Sequence, residues 1–240
     1  ALARLGGGDL RSFVIVVVMG LAAYVTLSGP LAGLRVWAFP AATAQSVPGI
    51  AHLLGRASGI SPVPVGLAIA AALLVAALWS RPLLARAGPI LWGGLVGLAV
   101  VSGWAGTAYL AEAGLDAVPV VTHTFSAPIG ATMLYAMTSS GSTLSFGIGS
   151  VAGVLGGAFL GSLFKGHFRW EACEDPRELR RQILGAAIMG VGAVLAAGCT
   201  IGQGISAFSL LAFSAPVTFL AIFAGAALGL RQLIEGFAPV

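Results

Sequence analysis

Residues 183–230 read ILGAAIMGVGAVLAAGCTIGQGISAFSLLAFSAPVTFLAIFAGAALGL and contain no charged side chain. A helix that crosses a bilayer needs about 20 apolar residues, so this block is too long for one helix. Two interruptions divide it, the heptapeptide GCTIGQG at 198–204 and the tripeptide SAP at 214–216. Two arrangements stay open: two full spans that flank a re-entrant element, or one broken crossing followed by a final span. Charge placement favours an odd number of crossings.

The composition of the whole chain agrees with this block. Of 240 residues, 58% are hydrophobic and 8% are charged, and the mean hydropathy is +0.99. Soluble domains are about one quarter charged. In lipid, only helices and closed barrels satisfy the backbone, and the long apolar runs lack the alternation of a barrel strand. The sequence therefore predicts an all-α, polytopic integral membrane helix bundle, with spanning helices and short broken or re-entrant helices, in contact with the lipid bilayer.

Four further apolar runs are long enough to span a membrane. They are Ser12–Thr26, Val65–Trp79, Pro89–Leu110 and Leu144–Phe164. The last run is rich in glycine, which permits close helix approach. Residues 40–63 are predicted to form a loop with a short interfacial helix. The stretch Ile129–Met137 is too short to cross, and we interpret it as a re-entrant helix.

The basic residues indicate orientation in the membrane. Of the twelve basic residues, eleven are arginine, and they lie scattered between apolar runs, which is not typical of a nucleic-acid-binding face. The positive-inside rule predicts that residues 165–181 are cytoplasmic, together with Arg81 and Arg86, in the inner membrane of a bacterium. Within that segment, Asp175-Pro176 predicts a helix start with proline at the first helical position.

The heptapeptide at 198–204 is the first candidate site. Glycine costs roughly 1 kcal/mol relative to alanine inside a helix, so three glycines in seven residues need a reason. A helix break at membrane depth frees backbone groups that line a cavity, and helix N-termini there attract anions. An equally weighted alternative is that the glycines only pack helices and the cysteine is a small buried hydrophobe. The candidate residues are Gly198, Cys199, Thr200, Gly202, Gln203 and Gly204.

A second candidate stretch precedes the predicted re-entrant helix. His123, Thr124 and Ser126 supply a titratable ring and two hydroxyl groups close to Pro128. These side chains either line a pathway or cap a helix. Both interpretations stay open.

Other chemistry is disfavoured. Cys173 lies among acidic residues and is interpreted as structural or incidental. The three histidines, His52, His123 and His167, are far apart in sequence and lack metal-ligand spacing, so no metal site is predicted. No catalytic or dinucleotide motif occurs. The sequence therefore predicts a protein that is not an enzyme, with no cofactor and no nucleic-acid partner.

The heptapeptide, followed by ISAFS at 205–209 and AGAALG at 224–229, resembles the YeeE/YedE family of sulfur-transport membrane proteins. The similarity is strongest over residues 124–230. The resemblance implies a bundle in two pseudo-symmetric halves, with cysteines along an hourglass path that hand on thiosulfate through S–H···S contacts. By matching position, Cys199 would be the central thiol, and the other five candidate residues of the heptapeptide would shape its surroundings.

The first half departs from that family pattern. Residues 1–123 contain no cysteine, whereas family members offer one in each half. We therefore expect a single transmembrane domain over residues 1–240, with a partial or divergent first half at 1–123 and a second half at 124–240 that contains GCTIGQG. The chain begins at Ala1 without methionine, which is consistent with a first half that extends upstream or has degenerated.

These features support three hypotheses. The first is an importer of thiosulfate or a related small sulfur anion that acts through Cys199. The second is a non-transporting integral membrane subunit that packs against a larger membrane complex. The third is a carrier that passes sulfur from Cys199 to a cytoplasmic sulfur-handling partner on residues 165–181.

Overall fold

The computed structural model describes residues 1–38, 49–79, 81–114, 119–171 and 176–235. Within these ranges the chain forms eleven α-helices and no strand. The helices are α1 (Leu2–Gly6), α2 (Leu10–Leu27), α3 (Ala32–Ala38), α4 (Ile50–Ser58), α5 (Pro62–Leu78), α6 (Arg81–Leu84), α7 (Ala87–Glu112), α8 (Ser126–Thr138), α9 (Phe146–Phe164), α10 (Pro176–Leu195) and α11 (Ser214–Glu235).

Four of the described helices are long and apolar enough to cross a membrane, namely α2, α7, α9 and α11. The pair α4 and α5 adds a fifth candidate only as a broken span, bent by 119° between its two helices. Three of the predicted spans, in α2, α7 and α9, are thus confirmed, while the predicted span Val65–Trp79 qualifies only together with α4. The all-α, multi-pass membrane architecture is confirmed.

The chain divides into two compact units, each built from two separate stretches of sequence. The first unit contains Ala1–Ala44 and Thr122–Gly202, and the second contains Gln45–Val121 and Gln203–Val240. The predicted division into halves, residues 1–123 and 124–240, is a different division and stays a prediction. The pseudo-symmetry of those halves stays a prediction.

Helix α2 is central to the first unit, where it packs against both α8 and α10. Small residues permit these contacts. A Cβ atom on Gly20 would lie 2.6 Å from Ile129 Cγ2, and one on Gly190 would lie 2.6 Å from the backbone oxygen of Met19. Any larger residue at either position would force the helices apart.

Helix α9 uses its glycines differently from the prediction. A Cβ on Gly147 would lie 2.8 Å from Pro128 Cγ, so α8 and α9 do approach closely there. The other five glycines of α9 have nothing within 4 Å of the position a Cβ would take; they are Gly149, Gly153, Gly156, Gly157 and Gly161. Among the described residues, the predicted close approach through a glycine of α9 therefore holds at Gly147, while α1 approaches α9 further along through its own Gly6, where a Cβ would lie 2.6 Å from Ala158 Cβ.

In the second unit, backbone hydrogen bonds hold the break between α4 and α5. Gly59 has a left-handed φ of +70°, and the N–H of Ile60 donates to the Gly55 oxygen at 3.1 Å. The next helix begins at Pro62, whose ring is compatible with a first helical position. The N–H of Ile50, at the start of α4, donates to the Leu211 oxygen at 2.8 Å.

The long uncharged block contains three helical pieces. Helix α10 begins at Pro176, as predicted, and ends at Leu195. A short helix follows at residues 200–209 and includes a π-helical segment, Gly202–Ala207. Helix α11 then begins at Ser214. The helices are therefore broken at both interruptions recognised in the sequence. The short helix between the two breaks has too few residues to cross a bilayer.

Candidate functional site

The end of α10 is strained at Ala197. This residue has a φ of 54°, in the left-handed region that favours glycine. The N–H of Gly198 donates to the Ala193 oxygen at 2.8 Å, and the N–H of Ala197 donates to the Val194 oxygen at 3.1 Å. This pair of bonds is the Schellman pattern, which normally has glycine at the left-handed position. An L side chain there costs about 1–2 kcal/mol.

Cys199 caps the helix that follows. Its Sγ accepts a hydrogen bond from the N–H of Gly202 at 3.5 Å, as the side chain of an N-cap residue does. Thr200, the next residue, is exposed, and Cys199 itself is half-buried. The N–H groups of the first helical turn have no earlier helical carbonyl to bond to, so they add partial positive charge beside the thiol.

Thr124 lies against the first turn of this short helix, which together with Cys199 is called the cysteine turn. A Cβ on Gly202 would lie 2.7 Å from Thr124 Oγ1 and 3.9 Å from Cys199 Sγ. Only the absence of a side chain at Gly202 lets the threonine hydroxyl come this close to the first turn of the short helix. The structure therefore brings Thr124, which is distant in sequence, next to the turn that contains Cys199 and Gly202.

The N-terminus of α8 begins two residues after Thr124. Ser126 is its first residue and is buried with 4% of its surface exposed. Phe125 occupies the N-cap position, and no side chain caps this helix end. Both helices that begin near Thr124, α8 and the short helix, thus start without a charged cap.

His123 contacts the beginning of α9. Its Nδ1 lies 2.6 Å from Ser150 Oγ, and its ring centroid lies 5.2 Å from that of Phe146 at a tilted angle. Ser150 is buried. The three residues predicted ahead of the re-entrant helix therefore have separate surroundings: Thr124 lies at the cysteine turn, Ser126 starts α8, and His123 packs on α9.

The last two residues of the heptapeptide belong to the second unit. Gln203 is buried, and its Oε1 accepts a hydrogen bond from Ser214 Oγ at 3.4 Å. A Cβ on Gly204 would lie 3.0 Å from Cδ2 of Phe219 in α11. Gly198, which is buried, and Gly202 belong with Cys199 to the first unit.

The sequence profile of a family described as sulphur transport matches residues 1–228. The chain belongs to the sulphur transport family. The resemblance to the YeeE/YedE proteins is thereby confirmed, and the match includes the first 123 residues as well as the region where the resemblance was strongest. No curated protein matches the chain. With its spanning helices, this family member is a multi-pass membrane protein of sulphur transport.

Cys173 of this sulphur transport protein lies outside the described residues. Within the described ranges, no group of three or more histidine, cysteine, aspartate or glutamate side chains is placed to hold a metal ion. The cysteine turn offers one thiol, the hydroxyl groups of Thr124 and Thr200, and backbone N–H groups.

Four residues at the site of this family member were missed by sequence reasoning, namely Phe146, Ser150, Ala197 and Ser214. Phe146 and Ser150 lie one helical turn apart in the glycine-rich span. The Ser150 hydroxyl in this apolar span was a signal that could have pointed to the site. Ala197 gave no signal, because its conformation depends on where α10 ends. Ser214 was recognised only as part of a break, and not as a partner of Gln203.

Proposed function

We propose that this protein imports thiosulfate or a related small sulfur anion, with Cys199 as the thiol that meets the substrate. The observation that supports this most is the position of Cys199 Sγ at the start of a short helix between two apolar segments, 3.5 Å from the N–H of Gly202. Family membership supports sulfur as the element transported.

The energetic problem of such a transporter is to replace the water around an anion without holding the anion permanently. A helix N-terminus offers N–H donors and a partial positive charge for this purpose. Residues 198–204 contain no lysine or arginine, so the anion meets no full positive charge there. A site of this kind attracts an anion weakly enough to release it again.

The two side chains at the turn suit the two ends of thiosulfate. Its terminal sulfur is soft and polarizable, like the Cys199 sulfur, and the family resemblance implies an S–H···S contact between them. Its oxygen atoms accept hydrogen bonds, and Thr124 Oγ1 is a donor close to Gly202. Sulfate presents only oxygen atoms at its surface and has no terminal sulfur for the thiol to contact.

Orientation follows from charge. We propose that residues 165–181 face the cytoplasm from the inner membrane of a bacterium, because this segment has five of the twelve basic residues. Import then runs from the opposite face toward this segment.

Uptake of radiolabelled thiosulfate into proteoliposomes tests the proposal. The wild-type protein is expected to accumulate label, and Cys199→Ala is expected to reduce uptake to the level of empty vesicles, while loss of the helix cap lowers its stability by at most about 1 kcal/mol and the variant still folds in detergent. Cys173→Ala is the matched control, because it removes the other thiol of the chain, and it should keep full uptake. Equal uptake by wild type and Cys199→Ala would contradict the role of the thiol.

The absence of cysteine from residues 1–123 favours a second candidate, a non-transporting membrane subunit of a larger complex. Glycine-rich faces suit packing against a partner as well as transport. Purification from native membranes separates the two. Recovery in a stable complex, together with full assembly and no uptake for both wild type and Cys199→Ser, would support the subunit.

A further inference from the structure

A polar cavity of about 270 Å³ lies in the first unit, and Cys199 is not among the residues that line it. It is formed where the chain enters α2 and where it leaves α9. The residues that line it are Arg4, Gly7, Asp9, Arg11, His167, Arg169 and Glu171.

Backbone hydrogen bonds between two loops form this cavity. The N–H of Arg169 donates to the Gly7 oxygen at 3.3 Å, and the N–H of Glu171 donates to the Gly8 oxygen at 3.2 Å. The N–H of Leu10 returns a bond to the Glu171 oxygen at 3.1 Å. Gly8 has a φ of +99°, and any side chain there would collide with the Arg169 oxygen. These hydrogen bonds therefore fix the backbone of the two loops whose residues line the cavity.

The carboxylate of Asp9 is already engaged. It accepts hydrogen bonds from Ser12 Oγ at 2.8 Å and from the N–H of Arg11 at 3.0 Å, and so caps α2. Partial burial raises the pKa of Asp9, but these hydrogen bonds and the Arg11 charge outweigh it, and the pKa lies below its ordinary value. Asp9 is thus committed as an anion to the start of α2.

The arginines divide into one that is paired and two that are not. Arg11 lies between Asp9, at 3.8 Å, and Glu178, at 3.7 Å. Arg4 and Arg169 form no ion pair within 4 Å among the residues that the structure describes. Arg4 and Arg169 therefore line one cavity without an ion pair among the described residues, and His167 and the acidic residue Glu171 line it as well. A guanidinium binds a tetrahedral oxyanion through two parallel hydrogen bonds.

The surroundings place this cavity at the level of lipid headgroups. Spanning helix α9 ends at Phe164, which is 88% exposed, and Trp170 is 73% exposed on the loop that follows. Exposed aromatic side chains next to basic residues are typical of the membrane interface. Basic pockets at that depth bind the phosphate of anionic lipids.

We propose that this cavity binds a tetrahedral oxyanion between Arg4 and Arg169. The oxyanion is either the phosphate of an anionic phospholipid or a free oxyanion from solution. The aromatic side chains favour the lipid. The inference does not depend on the function of Cys199.

Native mass spectrometry of the full chain in detergent tests the proposal by titration with phosphatidylglycerol and phosphatidylcholine. We expect the wild type to bind phosphatidylglycerol more tightly. Arg4→Gln with Arg169→Gln should weaken this binding about 25-fold, at about fivefold for each basic side chain near the surface. The matched control, Arg81→Gln with Arg86→Gln, removes two arginines of the second unit and should leave binding unchanged. Equal losses in both double variants, or no loss in the first, would overturn the proposal.

Inorganic phosphate distinguishes the two sources of oxyanion. If the lipid is the ligand, millimolar phosphate leaves phosphatidylglycerol bound. If a free oxyanion is the ligand, phosphate displaces phosphatidylglycerol, and phosphate alone raises the melting temperature of the wild type. If the glutamine variant does not fold, Arg4→Lys with Arg169→Lys retains both charges and removes the paired hydrogen bonds. That variant should bind severalfold more weakly than wild type, and unchanged binding would contradict recognition by the guanidinium groups.

Discussion

The described residues contain two helix breaks that differ in the residue at the turn. In both, the residue after a left-handed turn residue donates its N–H to the carbonyl five residues earlier, from Ile60 to Gly55 and from Gly198 to Ala193. In the break between α4 and α5, the left-handed position is Gly59, with a φ of +70°. In the break after α10, it is Ala197, with a φ of 54°. Glycine adopts this conformation at no steric cost, whereas alanine pays about 1–2 kcal/mol.

The residues that follow the two turns differ as well. Helix α5 begins at Pro62 and has no side-chain cap, while the short helix begins after Cys199, whose sulfur accepts from Gly202. Backbone strain in proteins concentrates at functional sites, where other interactions over-determine the strained residue. The first break thus needs only to turn the chain, and the second holds a thiol and free helix N–H groups in a defined place.

The largest effect on stability is expected from adding a methyl group at Gly202. In Gly202→Ala the new Cβ lies 2.7 Å from Thr124 Oγ1, so the chain must shift at the cysteine turn. We expect a destabilisation of about 1–3 kcal/mol and a loss of thiosulfate uptake. The melting temperature in detergent and the uptake rate report these two effects.

Gly66 in α5 is the matched control, because it is the first glycine of the helix after the other break. A Cβ there lies 3.8 Å from Ala51 Cβ, an ordinary contact, and Gly66→Ala should be neutral or stabilising by up to about 1 kcal/mol. Adding Thr124→Ala to Gly202→Ala removes the clashing hydroxyl and should recover part of the lost stability. Equal effects of the two glycine substitutions would show that the cysteine turn is no tighter than the other break.

Exchanging the turn residues should produce effects of opposite sign. Ala197→Gly relieves the strain, offset by the greater freedom of glycine in the unfolded chain, and should stabilise by about 0.5–1 kcal/mol. Gly59→Ala should destabilise by a similar amount, although no atom lies within 4 Å of the new Cβ. Thermal unfolding of both variants in detergent measures the difference. A loss of stability in Ala197→Gly would mean that the left-handed turn is not the source of strain.

The smallest effect concerns a third helix end, where Asp9 caps α2 with a charged side chain instead of a neutral thiol. Asp9→Ala should cost about 0.5–1 kcal/mol at neutral pH. The folded-state pKa of Asp9 is below its ordinary value of 3.8, so the stabilisation is fully present above that value and is lost as the pH falls through the folded-state pKa. Melting temperatures of wild type and variant should therefore converge as the pH falls below the folded-state pKa of Asp9. A gap that is independent of pH would exclude the charge as its cause.

The spanning helices were predictable because length and hydropathy determine them. Helix α7 was predicted over Pro89–Leu110 and extends over Ala87–Glu112, and the start of α10 at Pro176 followed from the backbone preference of proline. Helix α8 was also predicted, although it begins three residues earlier and ends one residue later than the predicted Ile129–Met137.

The details of the cysteine turn were not predictable. Glycine at position 198 indicated where α10 stops, but the left-handed residue is Ala197, since the hydrogen bonds of the last turn decide the position. The π-helical segment Gly202–Ala207 has no sequence signal of its own. The contact of Thr124 with Gly202 depends on how α8 packs in the first unit, which local sequence does not encode.

Cys199→Ser tests the central claim most directly, because serine keeps the helix cap and removes only the sulfur. In proteoliposomes loaded and assayed like the wild type, the variant is expected to melt at the wild-type temperature and to take up thiosulfate only at the background rate of empty vesicles. Thiosulfate uptake by Cys199→Ser at the wild-type rate would contradict a role for the thiol in substrate passage.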